Sequence, residues 1–195
     1  TPKQFAITIR YEIPQDIPLK GCFNTEGRQL TAAELSADLD ERYRFLYHNC
    51  AALRGTQPLE SIVQTAEYLD FKTKMLVLMR YAVTVCNTDL SQSVCTGMTL
   101  PELNAIAEKT IAQALTEKIS TYTLTSPAEL PSKAGSVTAT YRKGIRIQPE
   151  IQHLFRCLET NGITPYICSA SQEDGVRVFA CHPEYGYCLK PEQVF

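Results

Sequence analysis

Ile163-Thr164-Pro165-Tyr166-Ile167-Cys168-Ser169-Ala170-Ser171-Gln172-Glu173-Asp174 decides how this chain is read. Thr164 to Cys168 is short, apolar or β-tolerant, and follows Asn161-Gly162, a helix-stop signal. Ser171 with Asp174 three places later has the form of a capping box, which predicts a helix beginning at Gln172. Ser169 then ends a strand just ahead of a helix amino terminus. Open α/β sheets bind ligands at the carboxyl ends of their strands, and free N–H groups at a helix start favour anions, phosphate above all. Two readings of Ser169-Ala170-Ser171 stand side by side. Ser169 binds a phosphoryl oxygen, or the triplet is helix-capping chemistry and nothing more.

On the amino-terminal side of this run, Pro149 opens an amphipathic helix. Ile151, Leu154, Phe155 and Leu158 follow the i, i+3, i+4, i+7 pattern, and Gly162 supplies the stop. Helix, strand and helix with short connections make a slice of a parallel sheet with crossover packing. Arg146 stands just before that helix and has two readings: with Ser169 and Ser171 a candidate ligand-binding residue that reaches a phosphate, or an exposed structural arginine, the reading its position favours.

The preceding chain reads differently. Thr1-Pro2-Lys3-Gln4 suits a helix start, and residues 12–30, broken by Pro14, Pro18, Gly21 and Gly27, read as a loop with at most a short hairpin. Thr31-Ala32-Ala33-Glu34 is a capping box that predicts a helix from about Thr31 to His48. Asp38-Leu39-Asp40 lies inside it and reads as a solvated helix face. A second helical stretch starts at Pro58-Leu59-Glu60, runs to about Ala82 and is expected to break near Asp70. Thr99-Leu100-Pro101-Glu102 opens a third. From Ser120 the texture becomes β-favouring: Thr121–Thr125 and Val137–Tyr141 predict a small hairpin. The division expected is a mainly helical region over residues 1–140 and an α/β segment over 141–195.

The balance of 19 basic and 21 acidic residues, net charge −2, lacks the basic footprint of a nucleic-acid binder. No window reaches 18 uninterrupted apolar residues, so no membrane span is expected. Eight cysteines form no C-x-x-C pair, and the three histidines are far apart, which gives no support to a zinc site. Cys86 with Cys95, and Cys181 with Cys188, are close enough to close small loops in an oxidising compartment. Cysteine usage leans toward a periplasmic or secreted location over a cytoplasmic one.

The blocks Gly144–Glu150, Leu158–Ile163, Tyr166–Ser171 and Val176–Ala180 together resemble one segment of the haloacid-dehalogenase-like (HAD) phosphatases, nearest the branch that includes phosphorylcholine phosphatase. The resemblance covers residues 141–195 well and the helical stretch before it loosely. It implies an α/β fold, a HAD-like Rossmannoid core fragment of helix, strand and helix, carrying a large, mainly α-helical cap. In that superfamily a hydroxyl residue ending a core strand is the second signature motif, which falls on Ser169 as the catalytic residue. The implied substrate is a small phosphorylated molecule and the implied cofactor Mg²⁺. The family's attacking Asp-x-Asp pair, its late Asp residues and its Lys have no good match here: Asp38-Leu39-Asp40 sits in a helix, and Lys190 reads as a surface residue. The expectation is therefore an interior piece of such an enzyme, inactive alone, that supplies the substrate-selecting cap. If the leaving group were a quaternary amine, Tyr43, Tyr47, Tyr68, Glu67, Asp70, Phe71 and Tyr81 are available to surround it. The competing reading is a non-catalytic helical interaction module.

Overall fold

A computed structural model describes residues 18–87, 90, 94–95 and 97–195. The expected helix at Thr1–Gln4 lies outside them. The chain is mixed α/β and divides into two compact units. Unit one holds the described part of residues 1–97 together with 121–141, and unit two holds 98–120 and 142–195. The helix opened by Thr99 thus belongs with the carboxyl-terminal segment, not with the rest of the first 140 residues.

In unit one, β1 (Pro18–Phe23) and β2 (Gln29–Thr31) form an antiparallel pair where only a loop or a short hairpin is expected from the sequence. Thr31 then caps α1 (Ala32–Asn49) as the capping box predicts: its hydroxyl accepts the Glu34 N–H, and the Glu34 carboxylate accepts the Thr31 N–H at 3.1 Å. Val63–Thr65 separates a single turn, α2 (Leu59–Ile62), from α3 (Ala66–Val85), whose first turn Thr65 caps by accepting the Tyr68 N–H. The break falls there, and α3 runs unbroken through Asp70. Helices α1 and α3 pack side by side and bury Leu35, Leu39 and Leu78 together with Leu19 and Leu30 from the β1–β2 pair. Val137 and Ala134 complete this core from the segment between β3 (Ser120–Thr125) and β4 (Thr138–Lys143). Ser126 N–H donates to Val137 O, and Tyr122 faces Tyr141, so β3 and β4 are the predicted hairpin.

Unit two contains α4 (Leu100–Thr116), α5 (Pro149–Thr160) and α6 (Glu173–Cys181). Helix α4 packs on α6. A small core of Ala180, Leu189 and Val194 forms under Phe155, Ile167 and Val176. The expected parallel sheet is not present among the described residues. Both sheets have two strands, and residues 163–168 make only one parallel bridge, Ile167 with Val194. The physical reason is that a parallel strand is held by neighbours on its edges, and among the described residues only the last three of the chain flank this one. Without that cover, Ile151, Leu154, Ile163, Tyr166 and Phe195 stay exposed, and the apolar stripe of α5 contains no buried residue. Cys95, Cys181 and Cys188 are free thiols.

Candidate functional site: the Ser169 turn

Helix α5 ends in a Schellman motif: Gly162 takes φ +73°, its N–H donates to Glu159 O, and Ile163 N–H donates to Leu158 O. The chain reverses there and runs beside the carboxyl terminus. Ile167 N–H donates to Gln193 O at 2.8 Å, Phe195 N–H to Ile167 O at 2.9 Å, and Ser169 N–H to Phe195 O at 2.9 Å. The buried Gln193 side chain adds a bond to Pro165 O at 2.7 Å. These four bonds fix the backbone that carries Ser169.

Ser169 is half-buried, and its Oγ accepts the Ser171 N–H at 3.1 Å, an ST-turn. That leaves its O–H available as a donor. Because the turn closes on Ser169, Ser171 does not cap the next helix as its spacing predicts. Helix α6 begins one residue later than expected, at Glu173, with Gln172 at the cap position and no side-chain bond to the first-turn N–H groups. Open N–H groups attract an anion, but Glu173 and Asp174 occupy the same turn and offset the positive helix end. Glu173 is in turn paired with Arg177. Ser169 and Ser171 are thus brought together. Arg146, exposed, bonds Leu115 O at 3.3 Å and Ile145 O, satisfying a carbonyl in the last turn of α4.

The second cluster of polar side chains is in unit one and was not legible as a unit from the sequence. Asp38, on the helix face read as solvated, is buried at 1% exposure. Its carboxylate accepts Ser132 Oγ–H at 2.6 Å, Lys133 N–H at 2.8 Å and Ala134 N–H at 2.9 Å. Lys74, 0% exposed, places its Nζ 3.0 Å from Asp38 and 2.8 Å from Asp70, and also donates to Ser132 Oγ. Arg42 donates to Asp70 at 2.9 Å and to Pro131 O. Two buried carboxylates therefore face two buried cations, and the loop at 131–135 is tied to α1 and α3. Burial alone would raise the Asp38 carboxyl. The Ser132, Lys133, Ala134 and Lys74 donors outweigh that and hold it below the ordinary carboxylate range. Asp40, by contrast, is paired at the surface with Arg44.

This closed pairing bears on two expectations. Of the residues named for an ammonium-binding cage, Asp70 is already held by Arg42 and Lys74, while Tyr43 packs on Tyr47 and Phe71. A divalent cation needs open oxygen ligands. Among the described residues no group of three or more His, Cys, Asp or Glu side chains is placed to hold a metal ion. The described residues do not fit Mg²⁺. No helix of the described residues is long and apolar enough to cross a membrane.

Fold and site together define a mixed α/β protein in which a hydroxyl is presented between a bridged extended segment and an open helix start. No protein-family model matches the sequence. Part of the chain is similar to the phosphorylcholine phosphatase of Pseudomonas aeruginosa: 36% identity over 76 residues, covering 34% of this chain and 22% of that protein. A solved structure, a conserved protein of unknown function from Anaerococcus prevotii DSM 20548, matches 99% of this chain with a TM-score of 0.86 and 29% identity. The chain spans about half of that structure's length and about a fifth of the phosphatase.

Proposed function

We propose that this chain is part of a phosphatase of the haloacid-dehalogenase-like class. Unit two carries the phosphate-binding hydroxyl, Ser169, and the helical region selects a small phosphorylated substrate. The observation that carries the reading is the half-buried Ser169 hydroxyl, held by backbone bonds ahead of α6 and free to donate. Partial similarity to a phosphatase supports it. Exposed apolar residues on α5 and along 163–166, in a chain half the length of its structural neighbour, support a core completed by further chain. In this reading the attacking carboxylate, the Lys and the Mg²⁺ ligands belong to that further chain, and residues 1–195 alone hydrolyse nothing. Ser171 shapes the turn by giving its N–H to Ser169.

A single donor aimed at developing negative charge accounts for rate factors of about a hundred to a thousand at a full oxyanion hole. Ser169→Ala in the intact protein is expected to lower kcat/KM for p-nitrophenyl phosphate by at least about tenfold, with the fold unchanged by circular dichroism. Turnover equal to wild type would sink the assignment.

A further inference from the structure

Unit one contains a groove of about 480 Å³ between the edge strands β1 and β4, with α3 as its floor. It arises because two separate two-stranded sheets share one helix. Thr25 N–H donates to Ser136 O and joins the sheets at one end. Beyond that bond, Lys20–Phe23 and Thr138–Thr140 stand on opposite walls. The register of β1 against β2 shifts between Pro18 and Phe23, and Gly21 takes φ +78°, the irregularity that bends β1 along this wall. The volume lies within the range of small-molecule sites.

The lining is chemically one-sided. Lys20 from β1 and Arg80 from α3 are both present, and no carboxylate lines the groove among the described residues. Arg80 donates to Thr140 Oγ1 at 3.3 Å, and neither cation forms an ion pair among the described residues. The thiol of Cys22 adds no compensating charge: burial pushes it up, more than the nearby Arg80 lowers it, so it stays neutral. In a chain of net charge −2, this is a local excess of two positive charges in a cleft, where low-dielectric walls concentrate the field.

We propose that the β1–α3–β4 groove is an oxyanion-binding site for a small molecule bearing phosphate or carboxylate, held by Lys20 and Arg80 with Thr140 beside them. It is a site in unit one, separate from the Ser169 turn, and does not depend on the phosphatase reading. Its charge selects against a quaternary ammonium group.

The test is amide-resolved NMR titration of the whole 195-residue chain at constant ionic strength with inorganic phosphate, citrate, sodium chloride and choline chloride. Saturable shifts at residues 20–23, 80–84 and 138–140 with phosphate or citrate, and none with the chloride salts, are expected. Which of the two oxyanions binds more tightly identifies the headgroup. Arg80→Gln and Lys20→Gln alter exposed side chains, so their spectra should keep the wild-type pattern, and each should weaken binding about tenfold, the scale of one charge-assisted bond. Ser169→Ala should leave the titration unchanged. Shifts confined to residues 169–175, equal affinity in Arg80→Gln, or a response to choline would each overturn the site.

Discussion

Replacing Lys74 by Met measures how the buried charges hold unit one together. Met nearly preserves the volume of the side chain, so the change is largely one of charge. Lys74 has no exposed surface and lies within 3.0 Å of Asp38, Asp70 and Ser132. Its loss leaves Asp38 with neutral donors only and Asp70 with Arg42 alone. Breaking a buried pair by removing one partner costs about 3–5 kcal/mol, because the stranded charge remains desolvated. For a chain of this length that lowers Tm by about 6–20 °C. Urea denaturation followed by circular dichroism gives the free energy, and the Asp70→Asn background supplies the second side of a cycle. In that background Lys74→Met should cost less than in wild type, with a coupling of about 0.5–3 kcal/mol. A Lys74→Met protein within 1 kcal/mol of wild type, with no coupling to Asp70, would refute the reasoning that this cluster fastens the 131–135 loop.

The lowered Asp38 carboxyl sets a pH window. The folded state binds fewer protons than the unfolded one there, so the stabilisation is present above the unfolded value near 3.9 and drains away as pH falls through the lower folded value. Urea midpoints from pH 5 to pH 2 should therefore fall less steeply in Asp38→Asn than in wild type. Thr31→Ala removes the hydroxyl of the α1 capping box and should cost about 1 kcal/mol by the same denaturation. Gly144 has φ +82°, and a Cβ there would stand 2.8 Å from Lys118 and Ile119 backbone atoms. Gly144→Ala should lose about 1–3 kcal/mol, read as a lower Tm.

Sequence reading succeeded where the deciding interaction is local. The Thr31/Glu34 and Thr99/Glu102 boxes each join residues three apart, and both helices start where those pairs place them. Gly162 ends α5 for an equally local reason. The break expected near Asp70 does not form there: Lys74 one turn on and Arg42, 28 residues away on another helix, neutralise that carboxylate inside α3. Asp38 misled for a similar reason: its partners Ser132, Lys133 and Ala134 lie 94 to 96 residues along the chain. The spacing of Asp38 to Arg42 and of Asp70 to Lys74, each one helical turn, was the available hint that these charges share faces. At the candidate site, the position of Ser169 ahead of a helix could be read, but the failed Ser171 box could not. Its N–H is taken by a hydroxyl two residues back.

The bonds from Gln193 and Phe195 to Ile167 and Ser169 mean that the aim of one side chain is set from a distance in the chain. Sliding that short parallel register by one residue would turn position 169 toward the opposite side of the backbone while every neighbouring amino acid stayed the same. Residues 193–195 therefore work as a sighting rail. Substitutions at 193–195 that alter the pairing should change what the hydroxyl points at before they change how stably the segment folds.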